Sequence, residues 1–359
     1  MFSQITKQIL KQTKKYIVEY IWIDGDDKLR SKNKILVLPE NISLHNFSSW
    51  NYDGSSTNQA TTESSERFLK PVYYCNNPFV SKNYNGYLVF CATYEDAEHT
   101  KPTKNNNFVS CDKILENELN KLTKPWFGFE QEFFLFKHEN TNCSKTPLCG
   151  DKYNEQGQYY CSVGSENAFG RHIMDQFIEF CIEAGLDIYG TNSEVAPSQW
   201  EFQIGTVEGI NAAHQLWIAR YILIRISEKY DVCVDFHPKP HNEINGSGCH
   251  TNFSNVLTRK PGVGLENMKK MFVNLEQHHL EHILFYGEHN ELRLTGIHET
   301  ASIDKFSWGV SSRNTSIRVG TEVEKNGCGY FEDRRPASNC DPYLVIGLLV
   351  KNTYLDANS

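Results

Sequence analysis

Two glutamates stand one residue apart inside a run that is otherwise almost wholly apolar, "GFEQEFFLF", Gly128 to Phe136. As a strand, this run puts Glu130 and Glu132 on one face about 6.5–7 Å apart, with Gln131 and Phe133 on the other. A lone buried carboxylate costs several kcal/mol, and two on one face repel unless cations neutralise them. The aromatic flanks favour a cation site over the alternative, an exposed polar face on an edge strand. A second acidic pair lies in "NSEVAPSQWEFQIG". Glu194 and Glu201 have a helical separation, but Pro197 between them argues for strand–turn–strand. In "NGSGCHTNFS", Gly246 and Gly248 let backbone approach a ligand closely, and His250 could offer a nitrogen to a metal. Arginine gathers late in the chain: Arg293 with Glu299, Arg313 with Arg318, and Glu332 with Arg334 and Arg335. Guanidinium grips carboxylates and phosphates at two points, although arginine near acids is more often in a surface ion pair.

Each piece taken alone also reads as ordinary surface chemistry; the combination is narrower. Hard divalent ions prefer carboxylates and complete their shell with water and phosphate oxygens. Several acids, a histidine and several arginines suit a site in which metals hold a nucleotide and arginines clamp a moving phosphoryl group. Neither a G-x-x-x-x-G-K-[ST] loop nor the protein-kinase signature set occurs, which excludes the phosphoryl-transfer folds built on them.

The elements that must position these groups divide the chain. From Tyr16 to about His99, "YIVEYIWIDG", "NKILVLPE" and "GYLVFCATY" read as strands, and "SSWNYDGSSTNQATTESSE" reads as a long loop. "EHTKPTKNNNFVS" is the best candidate linker. Beyond it, "DKILENELNKL" predicts a helix capped by Asp112, and "FGRHIMDQFIEFCIEAGL" predicts one stopped by Gly185, with Phe169, Ile173, Phe177, Phe180, Cys181 and Ala184 on its apolar face. "GINAAHQLWIARYILIRISEKY" and "LENMKKMFVNLEQHHLEHILF" also predict helices, with "WFGFEQEFFLF" and "SQWEFQIG" as strands between. The expected class is α+β: a basic N-terminal segment over 1–15, read as a short surface helix, a small strand-rich domain over 16–103 and a larger one over 104–359. A formal charge of −8 argues against a nucleic-acid surface, and no apolar run is long enough for a membrane-spanning helix. Eleven cysteines without a C-x-x-C pair fit reduced thiols and a cytoplasmic protein.

The blocks "YIWIDG", "WNYDGSST", "PWFGFEQE", "GTNSEVAPSQWEFQIG", "NGSGCHTNFS", "RLTGIHET" and "YFEDRRPASNCDPY" follow one another from about Tyr20 to Tyr343. In content and order they resemble glutamine synthetases of the eukaryotic type. That resemblance implies a β-grasp N-terminal domain and a catalytic domain of the glutamine synthetase/guanido-kinase type. It further implies a homo-oligomer, a decamer of two pentameric rings with active sites between subunits. The implied reaction joins ammonia to the side-chain carboxylate of L-glutamate, using ATP as co-substrate and Mg²⁺ or Mn²⁺ as cofactor, by way of γ-glutamyl phosphate.

Residue by residue, the resemblance implies one metal on Glu132, Glu194 and Glu201, and a second on Glu130, His250 and Glu332 beside the ATP phosphates. Arg293 matches the arginine on the α-carboxylate of glutamate, and Asn245 and Gly246 match the positions for its amino group. Arg313 and Arg334 match arginines on the phosphates, with Arg318 close by. Trp126, Asn252, Ser254 and Tyr330 match positions near the nucleotide. Asp53, reaching in from a neighbouring subunit, and Glu299, on a mobile flap, match the acids that bind ammonium and take its proton. A γ-glutamyl amine ligase on the same fold and a non-catalytic structural relative are the competing implications. Against the first, Asp53 and Glu299 are both acidic; against the second, all six ligand positions are occupied by ligand-type residues.

Departures from the family pattern touch none of these positions. "HTKPTKNNNF" lacks an expected arginine, and "SIRVGTE" has glycine in place of proline. The C-terminal segment "LLVKNTYLDANS" is short, and the basic N-terminus differs from the common one. These differences bear on oligomer contacts and regulation.

Overall fold

The computed structural model describes residues 13–81, 83–139, 142–150 and 157–354. The expected basic helix falls mostly outside the described residues; Lys14 and Lys15 already belong to a strand. The chain forms two compact units. One runs to Val109 and includes Phe180–Leu186, and the other comprises Ser110–Glu179 and the chain from Asp187 onward.

In the first unit, β1 (Thr13–Ile23), β2 (Leu29–Pro39), β3 (Trp50–Asp53), β4 (Glu66–Asn76) and β5 (Asn85–Tyr94) form one sheet in the order β2-β1-β5-β4-β3. Strands β1 and β5 are parallel, and the other pairs are antiparallel. Alternate residues of β1, Val18, Tyr20 and Trp22, point into a core with Leu69 and Val89, as a half-buried strand requires. Phe180 closes part of this unit with its ring 5.2 Å from that of Phe79.

Two expectations fail here. The stretch read as one long loop contains β3 and two short 3₁₀ turns, because Trp50 and Tyr52 alternate only briefly before polar residues take over. Strand β4 escapes the sequence reading because Pro71 interrupts it; the strand accommodates the proline with a register shift between Pro71 and Tyr73. The expected linker is also tied down. Thr103 N and Asn106 Nδ2 both donate to Thr93 O, at 3.1 and 2.7 Å.

In the second unit, Asp112 does not cap a helix. It lies within α1 (Asn107–Leu115), and the predicted continuation is a separate α2 (Glu118–Thr123). The larger sheet is built on β6 (Trp126–Glu139). It also contains β8 (Ile188–Ser193), β9 (Gln199–Glu208), β11 (Cys249–Ser254), β12 (Trp308–Val310), β13 (Ile317–Val319) and β14 (Phe331–Asp333). Their order is β12-β13-β14-β11-β6-β9-β8, and β7 (Asn142–Pro147) and β10 (Val232–Asp235) pair with the far end of β6. Helix α3 (Arg171–Ala184) ends at Gly185, whose φ of +81° suits glycine, and Ile173, Phe177, Cys181 and Ala184 are buried as its spacing predicts. Phe169 precedes the helix. The last predicted helix breaks at His278 into α5 (Gly264–Gln277) and α6 (His279–Phe285).

Behind the sheet lies α4 (Asn211–Glu228), buried along most of its length. Its Arg220 is buried and donates from Nε to Gln131 Oε1 at 2.8 Å, and from Nη1 and Nη2 to the carbonyls of Cys340 and Ser338. Gln131 is the residue between the two glutamates of β6. Locking it on the rear face fixes the direction of both acids on the front.

Gly320, the glycine in place of proline, sits at φ −71°, ψ 152°, values that proline also adopts, so the exchange leaves the backbone path intact. Among the described residues nine cysteines are free, but Cys233 is disulfide-bonded, so the expectation of reduced thiols fails at that position.

Candidate active site

Strand register assembles the site. Across the front face of the larger sheet, Asn192, Glu201 and Glu132 stand opposite one another in a first row. Two residues along, Gln203, Glu130 and His250 form a second row. Gly128, Asn252, Glu332 and Arg318 form a third. Directly opposed residues share a face with Cβ atoms about 4.5–5.5 Å apart, so strand pairing alone brings acids distant in sequence together. Glu194 joins from the turn between β8 and β9, where Pro197 and Ser198 (φ +61°) reverse the chain. The strand–turn–strand reading of that stretch is correct.

Two three-donor clusters result. Ligand-type atoms of Glu132, Glu194 and Glu201 all lie within 4.8 Å of one another, and so do those of Glu130, His250 and Glu332. Both clusters open on a cavity of about 500 Å³, lined also by Trp126, Asn245, Gly246, Asn252, Ser254, Arg293, Glu299, Arg313, Arg318, Tyr330 and Arg334. All the sequence-derived site residues are therefore gathered at this place except Asp53. That residue lies in the other unit, at the exposed end of β3. Hydrogen bonds from the Ser56 and Ser55 hydroxyls, at 2.6 and 2.7 Å, hold its carboxyl down to about 2 and so keep it ionised.

The clusters differ in their surroundings. In the first, the donors are neutral. Gly248 N donates to Glu132 Oε2 at 2.5 Å, Asn192 Nδ2 to Glu194 Oε1 at 2.9 Å, and Gln203 Nε2 to Glu201 Oε1. Burial pushes all three carboxyls upward, Glu201 to about 9, helped by repulsion from Glu194 on Glu132, from Glu299 on Glu194, and from Glu130, Glu132 and Glu194 on Glu201. In the second, Glu332 accepts from Arg334 Nη1 at 2.6 Å and from Arg318 Nη1 at 3.1 Å, and Glu130 accepts from Asn252 Nδ2 at 2.8 Å. Burial and the nearby Arg334 charge keep His250 neutral, with Nδ1 3.5 Å from Glu332 and 3.8 Å from Glu130. A neutral imidazole is the form that binds metal.

The arginines are aimed rather than free. Arg293 is buried and spends Nε on Asn290 Oδ1 and Nη2 on the carbonyls of Arg334, Arg335 and Pro336. Both glycines of "NGSGCH" are required by contact. A Cβ on Gly246 would stand 2.2 Å from Pro238 O, and one on Gly248 would stand 2.8 Å from His250 Nε2 and 3.0 Å from Arg293 Nη1. The Gly246 carbonyl accepts from Gln199 Nε2 at 2.9 Å. Glu299 pairs with Arg313 at 3.2 Å, while both remain exposed. His298 and Glu299 both have positive φ, +53° and +61°, a strained pair in the segment read as a flap.

The donor sets fit divalent cations, and the arginines fit phosphate. Three partly or fully buried acids without a cationic hydrogen-bond partner suit a hard cation, as does an acid–imidazole–acid set. Nε of Arg318 and of Arg334 is buried with no hydrogen-bond partner among the described residues, an unmet need that an anionic oxygen would satisfy.

Sequence reasoning missed Asn192, Gln203, Tyr160 and Arg220. Gln203 was within reach, since it lies two residues from Glu201 along one strand and so shares its face, and Asn192 lies two residues before Glu194. Tyr160, which lines the cavity with Arg313, and Arg220, from the rear helix, carried no local signal.

A family profile described as "Glutamine synthetase, catalytic domain" matches residues 112–284. The chain is 50% identical over 340 residues to a "Putative glutamine synthetase" of Acanthamoeba polyphaga mimivirus, covering 93% of each chain. It is 48% identical over 355 residues to "Glutamine synthetase cytosolic isozyme 1-5" of Arabidopsis thaliana, covering 98% of this chain and 99% of that one. A Caenorhabditis elegans "Probable glutamine synthetase" is 44% identical over 93% of this chain and 90% of its own. The fold is like that of a Plasmodium falciparum glutamine synthetase, with a TM-score of 0.73 at 17% identity, over 98% of this chain and 74% of that one. With such identity over nearly the whole chain, and with the two donor clusters and four arginines in one cavity, the chain belongs to the glutamine synthetase family.

Proposed function

We propose that this cavity joins ammonia to the side-chain carboxylate of L-glutamate at the expense of ATP, through γ-glutamyl phosphate, to give L-glutamine, ADP and phosphate. The observation that carries this reading is one sheet face bearing two three-donor clusters beside Arg293, Arg313, Arg318 and Arg334. Glu132, Glu194 and Glu201 would hold one Mg²⁺ or Mn²⁺, and Glu130, His250 and Glu332 a second. Bound there, such ions would supply charge neutralisation at the carboxylate and the phosphates.

The chain's own groups do the rest. Because Arg293 has committed Nε and Nη2 to neighbouring oxygens, its direction is set before any substrate arrives, and it would receive the α-carboxylate of glutamate. Asn245 and the Gly246 carbonyl would take the amino group. Arg313 and Arg334, with Arg318, would hold the transferring phosphoryl group, Arg318 and Arg334 through nitrogens that now lack partners. Trp126, Asn252, Ser254 and Tyr330 would face the nucleotide. Glu299 would hold ammonium together with Asp53 of a neighbouring subunit. Each would act as an ionised carboxylate that binds a small cation and accepts its proton. A closed Glu299 segment would also exclude water from the acyl phosphate.

This reading carries with it a decamer of two pentameric rings, in which the exposed, ionised Asp53 completes a neighbour's site. A cytosolic location is supported by relatives from Arabidopsis thaliana and Daucus carota that are named cytosolic isozymes. No helix among the described residues is long and apolar enough to cross a membrane.

The test is phosphate release from ATP with glutamate and Mg²⁺, with and without ammonium, comparing wild type with Glu299→Ala. Release should require every component and match glutamine one-for-one, and the variant should lose that coupling or its ammonium affinity. No release by protein that still binds nucleotide would overturn the reading, and methylamine outperforming ammonium would replace it with an amine ligase.

A further inference from the structure

Resting on the reading of Glu132, Glu194 and Glu201 as metal ligands, we propose that Gln203 and Asn192 are positioning residues. They form a directional amide clamp that presets two of the three carboxylates for the cation. Gln203 stands two residues beyond Glu201 on the same face of β9, and Asn192 stands directly across from Glu201 on β8. From one nitrogen, Gln203 Nε2 donates to Glu201 Oε1 and, at 2.9 Å, to Asn192 Oδ1. With its oxygen so engaged, Asn192 turns Nδ2 to Glu194 Oε1, at 2.9 Å.

The direction of this relay is enforced. With Glu201 ionised, as a bound cation requires, reversing the Gln203 amide would set its oxygen against a carboxylate and a carbonyl oxygen together, leaving three acceptors and no proton. Room for that oxygen in its present direction comes from Gly190, where a Cβ would lie 2.8 Å from Gln203 Oε1. Glu132, the third ligand, is held separately by the Gly248 amide.

A neutral clamp does something a guanidinium could not. It orients the carboxylates without cancelling the charge that draws a cation. Outer groups that orient ligands commonly account for about 10–100-fold in metal affinity.

The experiment counts Mn²⁺ bound per chain by electron paramagnetic resonance, with no ATP or glutamate present. Glu201→Gln and Glu332→Gln assign the two binding classes. Gln203→Met, which keeps length and removes the donor, should weaken the Glu201 class by about 10–100-fold and leave the Glu332 class within about twofold. Gly190→Ala, which keeps every acid and both amides but crowds the Gln203 oxygen, should weaken the same class by less. Both variants should melt within a few degrees of wild type. If both bind at both classes as wild type does, the clamp is overturned while the metal reading stands. Loss of both classes together with a large fall in melting temperature, in Gly190→Ala as well as Gln203→Met, would make these residues merely structural. A wild type that binds no Mn²⁺ would remove the clamp and the metal reading together.

Discussion

The two donor clusters lie side by side at one sheet face, yet they answer the problem of buried negative charge in different ways. Around Glu132, Glu194 and Glu201 the hydrogen-bond donors are all amides, and the charges of Arg293, Arg334 and Arg313 nearby do not outweigh burial, so these carboxyls are pushed up. Around Glu332 it offers two guanidinium groups, so the charge is compensated from within. The first arrangement is incomplete without an external cation. The second is complete but contested, since the same arginines face the cavity where phosphate would compete for them. The difference teaches that a carboxylate-rich site need not be uniformly hungry for metal.

The sharpest break would come from Glu201→Gln. It removes a charge the first cluster needs, and activity should fall by about 10²–10³-fold, the scale of losing one strong electrostatic contact in a transition state. Turnover near the wild-type rate would show that this cluster holds no catalytic ion. Next in size is Arg334→Met. Glu332 keeps Arg318 but loses its shorter, buried partner, and stability should drop by about 2 kcal/mol, as for a hydrogen bond to a charged group. An unchanged urea midpoint would mean that the second cluster's charge is not compensated from within.

A smaller effect concerns pH. Glu201 titrates near 9 in the folded protein and near 4.5 when free, so the folded state binds the extra proton between those values. From this group alone, stability of the metal-free protein should therefore fall as pH rises from about 7 to 8, by at most about 1.4 kcal/mol. Mn²⁺ added near pH 7.5 should release protons, measurable by titration calorimetry in buffers of different ionisation enthalpy. Zero release would erase the contrast between the clusters. Smallest of all, Arg313→Met removes an exposed pair with Glu299 and should change stability by less than about 0.5 kcal/mol while still impairing phosphate release. A large stability loss there would mean that Arg313 belongs with the buried arginines.

Local patterns in the sequence carried most of this. The apolar stripe of α3 with Gly185 as its stop, the long runs of β1, β2, β5 and β6, and the turn around Pro197 were legible because each rests on neighbours within a few residues. Strands β3 and β4 were not, because one is four residues long and the other contains a proline absorbed by its partner. The break at His278 and the early start of α1 were hidden for a similar reason, since packing partners rather than propensity chose those ends.

At the site, the sequence by itself determined which chemistry was available: acids in aromatic company, one histidine after a glycine turn, arginines near the end. It also determined, through the two-residue period of a strand, that Glu130 and Glu132 share a face. Residue types and spacing left open which acids belong to which cluster; the family resemblance implied the grouping, and the tertiary structure supplies its physical basis. Glu132 meets Glu201, and Glu130 meets His250, through pairings of β6 with β9 and β11, and no local period encodes a register between strands 70 to 120 residues apart. The structure likewise decided that Arg220, from a helix behind the sheet, should hold Gln131 and so aim both glutamates forward. Side-chain identity is a property of the chain, but its charge state is set by what folding packs around it.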